Sequence, residues 1–150
     1  MTAECPVSFE TVDERAARGV ALVVMAATAV FVATPFKWIA ALLAADFLVR
    51  AFVTPKVSPL AALVRSVLRT LKVAPKPTDA APKRFAAGLG LVFSLTALVL
   101  WLGGLTTSAV IVASILAACA TLEGVFGFCL GCWVYTLLKP LFARAQPQSR

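Results

Sequence analysis

Histidine is absent from this chain of 150 residues, and charge is sparse: 14% of residues are charged and only 7 are acidic. Without imidazole there is no histidine metal ligand, no Ser-His catalysis and no histidine proton shuttle. No glycine-rich phosphate loop and no nucleic-acid module is visible either. The reactive chemistry left to the chain is that of sulfur, carried by 4 cysteines: Cys5, Cys119, Cys129 and Cys132.

Apolar residues, by contrast, make up 61% of the chain, and the mean hydropathy is +0.93. A membrane crossing takes roughly 20 largely apolar residues. Four segments qualify, at about 12–34, 36–53, 83–104 and 106–138. The expected fold is therefore all-α: a single four-helix transmembrane bundle occupying the whole chain. The first span has Glu4, Glu10, Asp13 and Glu14 on its amino side where a signal peptide carries basic residues. It is expected to stay in the mature protein.

The net charge of +7 has a membrane explanation. Lys56, Arg65, Arg69, Lys72, Lys76, Lys83 and Arg84 lie between spans two and three, and Lys139 and Arg144 follow span four. The turn after span three, Gly103 to Ser108, carries no charge. By the positive-inside rule both termini and the middle loop face the cytoplasm of a cell inner (plasma) membrane. Partners are then the lipid bilayer and proteins at its inner face, with no nucleic acid among them.

Local patterns refine this layout. Thr11 and Glu14 have the spacing of a capping box at the start of span one. Ser58 and Pro59 suit the cap and first turn of a helix. That helix, about 58–72, repeats Leu60, Leu63, Val64, Val67, Leu68 and Leu71 at steps of three and four residues. It reads as an amphipathic helix lying on the cytoplasmic interface between spans two and three. The alanine pairs Ala16-Ala17 and Ala86-Ala87 open spans one and three alike, consistent with a duplicated two-helix hairpin.

The candidate site is the Cys129-x-x-Cys132 dithiol. A helix from Thr106 rises about 35 Å by Cys129, which puts both sulfurs at the cytoplasmic boundary. Cys5, followed by Pro6, lies on the same side and can converge with them. Cys119 sits deeper and is read as a small buried hydrophobe. In an unbroken span the dithiol lies in the carboxyl half of a helix, where the macrodipole opposes a thiolate. Gly124, Gly127 and Gly131 offer places for a break. A zinc site from Cys5, Cys129 and Cys132 would need a fourth ligand such as Glu4; no cofactor and no metal is expected.

Three charged residues fall inside the spans. Asp46 and Arg50, four apart, share a helix face, either as an ion pair that orients the span or with Asp46 as a proton acceptor. Glu123 lies one turn beyond Cys119. It can exchange protons with a nearby thiolate, or pair with Arg50, Arg18 or Lys83 to lock the bundle.

The chain resembles the bacterial membrane proteins grouped as domain of unknown function 4395. The resemblance rests on Cys5-Pro6-Val7, Val12-Asp13-Glu14-Arg15, Ala45 through Phe52, Ser58-Pro59-Leu60, Pro82 through Gly88, and Leu122 through Cys132. It spans nearly the whole chain and implies no activity. From the residues themselves the expected function is a thiol-redox or sulfur relay, with Cys129, Cys132 and Cys5 as reacting groups. Its partner would be a thioredoxin-like or sulfurtransferase-like protein. The alternative is a non-enzymatic membrane subunit or small transporter whose dithiol is structural.

Overall fold

The computed structural model describes residues 11–54 and 56–144. Its elements run as strand β1 (Thr11–Asp13), helix α1 (Glu14–Ala33), helix α2 (Trp38–Leu48) prolonged by a π-helical turn (Val49–Val53), and helix α3 (Pro59–Thr70). The same order then recurs. Strand β2 (Pro77–Asp79) leads to α4 (Ala80–Leu102), α5 (Thr106–Thr121) with its own π-helical turn (Leu122–Phe126), and α6 (Leu130–Arg144). The architecture is all-helical except for β1 and β2, which pair antiparallel with Val12 opposite Thr78. Three helices are long and apolar enough to cross a membrane: Glu14–Ala33, Ala80–Leu102 and Thr106–Phe126. The helical run 38–53 is shorter than they are.

The start of α1 departs from the capping box expected of Thr11 and Glu14. Thr11 is held in β1 opposite Asp79, so its hydroxyl caps nothing. Asp13 caps the helix instead, accepting from the Arg15 N–H at 3.0 Å. The same carboxylate oxygen accepts from the Lys76 N–H at 3.0 Å, and Glu14 pairs with Lys76 at 2.7 Å. A long-range strand contact has displaced the local motif. At α3 the local reading holds: Ser58 accepts from the Ala61 N–H at 3.2 Å, and Pro59 fills the first helical position where no N–H is needed.

The largest departure lies at the last helix. The stretch 106–138, expected as one continuous span, stops at Phe126 and starts again at Leu130. Gly127 makes the break, with φ of 71° in the left-handed region that glycine enters without a Cβ clash. Its N–H bonds to the Glu123 carbonyl and that of Phe128 to the Leu122 carbonyl, both at 3.1 Å, which closes the end of the helix.

The repeated order is matched by reciprocal contacts. Helix α1 packs on α5, and α4 packs on α2, so each half clasps the other. Arg18, the fifth residue of α1, donates to the carbonyls of Gly124 and Val125 at the end of the second π-helical turn. Arg84, the fifth residue of α4, donates to those of Ala51, Phe52 and Val53 at the end of the first. Carbonyls left open at a helix end are thus met by the opposite half. The alanine pairs were a misleading marker, for Ala16 is the third residue of α1 and Ala86 the seventh of α4. The main core joins both halves through Val20, Val24, Phe47, Val64, Leu91 and Leu116.

Candidate functional site

The break at Gly127 decides the chemistry of the dithiol. Because α6 begins at Leu130 and the Trp133 N–H bonds to the Cys129 carbonyl at 3.0 Å, Cys129 occupies the cap position of α6. Cys132 is the third residue of that helix. Both sulfurs therefore sit at a helix amino end, where free N–H groups and the macrodipole favour a thiolate. This reverses the expectation drawn from an unbroken span, in which the dipole opposes ionisation.

Cys129 lies past Phe126, the last residue of the third long apolar helix. Hydrogen bonding from Cys132 brings its thiol down from the usual 9.0 to about 7, with Lys83 acting the same way and burial and Glu123 opposing. The Cys132 thiol moves the other way, because it donates to Cys129 and is itself partly buried. The two cysteines are thereby differentiated. Cys129 is the group that ionises first; Cys132 holds its proton. Both are half-buried.

Glu123 is the second residue of the π-helical turn that precedes the break, and Lys83 reaches it from the first turn of α4. The two form an ion pair at 2.5 Å with side chains 12% and 17% exposed. Of the three cations considered for Glu123, the geometry selects Lys83. Arg18 instead closes the carbonyls of Gly124 and Val125.

Asp46 stands in a different environment. Its Oδ1 accepts from the Ser58 hydroxyl at 2.6 Å and from the Leu60 N–H at 3.2 Å, so it anchors the amino end of α3 to α2. Its Oδ2 has no hydrogen bond and faces Arg50 at 3.9 Å. Arg50 lies over the Phe47 ring, 5.3 Å from its centre. A cavity of about 240 Å³ joins Arg50, Lys83, Glu123, Cys119 and Cys129, and Asp46 does not line it. Cys119 is therefore half-exposed to this space instead of fully packed away. Cys5 lies outside the described residues. No three metal-ligating side chains gather among the described residues.

Sequence reasoning treated Lys83 mainly as one of the loop cations. Its signal was its place in Pro82-Lys83-Arg84, where a polar pair enters the first turn of a long apolar helix.

A family model matches residues 12–140, from β1 into α6. The chain belongs to the family described as Domain of unknown function (DUF4395). The DUF4395 match takes in Asp46, Arg50, Lys83, Glu123 and both cysteines of the dithiol, and leaves Cys5 outside. No curated protein and no solved structure matches the chain.

Proposed function

We propose that this protein is a four-span membrane thiol–disulfide exchange protein whose working groups are Cys129 and Cys132. In this reading α1, the run 38–53, α4 and the stretch 106–126 cross the inner membrane. Helices α3 and α6 lie on its cytoplasmic interface, where Arg65, Arg69 and Lys139 meet anionic lipid. Leu63, Val67 and Leu71 are exposed along α3 and supply its lipid-facing stripe. The observation that carries the reading is Cys129 at the amino-terminal cap of α6 with Cys132 on the turn that follows.

The exchange proceeds in two steps. The Cys129 thiolate attacks a partner's disulfide, forming a mixed disulfide and releasing one partner thiolate. Cys132 then loses its proton and attacks the Cys129 sulfur, which releases the second partner thiolate and leaves a Cys129–Cys132 disulfide. Two electrons have passed to the partner, and the reverse sequence returns them. A thioredoxin-like protein has the matching chemistry. A sulfurtransferase-like partner bearing a persulfide would be met by the same thiolate, which takes the outer sulfur and leaves the partner's thiolate.

The test is capture in cells. Cys132→Ser removes the resolving thiol and should accumulate a mixed disulfide between Cys129 and the partner. Replacing both cysteines by serine should abolish it, and capture that persists in the double variant rejects the exchange. A stable partner complex indifferent to those substitutions would favour the non-enzymatic membrane subunit.

A further inference from the structure

The cavity beside the dithiol has a mixed lining. Val24, Phe47, Phe93, Ile115 and Leu116 give it apolar wall, while Arg50, Lys83, Glu123 and Cys129 give it polar groups. Ile115 and Leu130 line it and are themselves exposed, so part of its rim is hydrocarbon. Within the membrane placement proposed above, such a cavity admits molecules from the acyl-chain region.

Arg50 supplies the second observation. Its side chain is only 12% exposed, yet its guanidinium makes no hydrogen bond among the described residues, and its charged neighbour Asp46 stays at 3.9 Å. A buried guanidinium has five N–H donors, and donors left without acceptors in an apolar site are costly. Arg50 lines the cavity, so those donors border on space that a ligand's oxygen can occupy. The occupant must then be apolar in body, carry a hydrogen-bond acceptor at one end, and tolerate a thiolate beside it.

From this geometry, and resting on the exchange reading, we infer that the cavity binds the head group of a membrane quinone, which oxidises the Cys129–Cys132 dithiol. The step balances as follows. The two sulfurs lose their protons and join in one S–S bond, two electrons pass to the ring, and its two carbonyl oxygens take up two protons to give the hydroquinone. Arg50 donates to a ring oxygen as charge gathers there, and the Lys83–Glu123 pair lies along the proton route. A partner dithiol then reduces the new disulfide by the exchange already described. The protein would carry electrons from cytoplasmic thiols into the lipid pool.

The experiment uses the full chain in lipid nanodiscs, fully reduced and freed of reductant, with decylubiquinone as the probe. Loss of quinone absorbance and loss of free thiols are followed together. One quinone consumed per protein, two thiols lost and a disulfide mapped to Cys129–Cys132 are the expected results. Arg50→Gln should raise the half-saturating quinone concentration about tenfold, the equivalent of one lost hydrogen bond of about 1.4 kcal/mol. Ile115→Trp, at an exposed apolar part of the wall, should raise it by a similar factor without removing a charged group.

Quinone left oxidised, consumption that does not saturate, or consumption unchanged in Cys129→Ser with Cys132→Ser would overturn the inference. So would unaltered saturation in both Arg50→Gln and Ile115→Trp. The mixed-disulfide capture in cells, run on the same variants, separates the two readings. Capture with quinone untouched removes the quinone site alone, and failure of both removes the exchange as well.

Discussion

Ser58 opens α3 in the first half of the molecule, and Cys129 opens α6 in the second. The positions correspond: each caps the helix that follows a π-helical turn. Their surroundings do not. Ser58 is fully buried, and Asp46 holds its hydroxyl at 2.6 Å. Cys129 is half-buried and borders a cavity. The second residue of each π-helical turn also differs, Arg50 in one half and Glu123 in the other. One backbone plan thus serves as a clamp in one half and sets a half-buried thiol beside a cavity in the other. A shared order of elements leaves the choice to a few side chains at the helix cap.

The largest effect should come from breaking the clamp. Asp46→Ala leaves Arg50 buried without its counter-charge and frees the end of α3. It should cost about 3 kcal/mol, read as a lowered melting temperature in detergent. An unchanged melting curve would mean that Asp46 does not anchor α3. The second half should be weaker at its corresponding corner. Gly127→Ala places a Cβ in left-handed backbone and should cost about 1 kcal/mol by the same measurement.

The smallest effect sharpens the chemical contrast. Alkylation of Cys129 should rise with pH through an inflection near 7, since below it the sulfur holds its proton and is inert. Glu123 raises the Cys129 value and Lys83 lowers it. Glu123→Gln should therefore move the inflection to lower pH, and Lys83→Met to higher pH. A profile that moves in neither variant would show that the ion pair does not govern the thiolate.

These contrasts also mark where sequence reading works. The all-helical architecture, the Ser58–Pro59 helix start and the shared face of Asp46 and Arg50 follow from local spacing, and local spacing is legible. The break in the last helix was not, because three glycines near the dithiol were equally able to make it. Packing assigns their roles. A Cβ on Gly124 would come within 2.7 Å of Leu22, and one on Gly131 within 2.6 Å of Ala86. Those two are small because a neighbouring helix approaches. Gly127 alone of the three has positive φ. The β1–β2 ribbon escaped for a similar reason: three-residue strands carry no periodicity, and their partners are far apart in sequence.

The two arginines that reach across, Arg18 into the second half and Arg84 into the first, make the halves mutually dependent. Severed in the connector between α3 and β2, each fragment would carry bare carbonyl groups at a helix end, with the cation that meets them left on the other fragment. The described chain is organised like a self-complementary dimer joined by a tether.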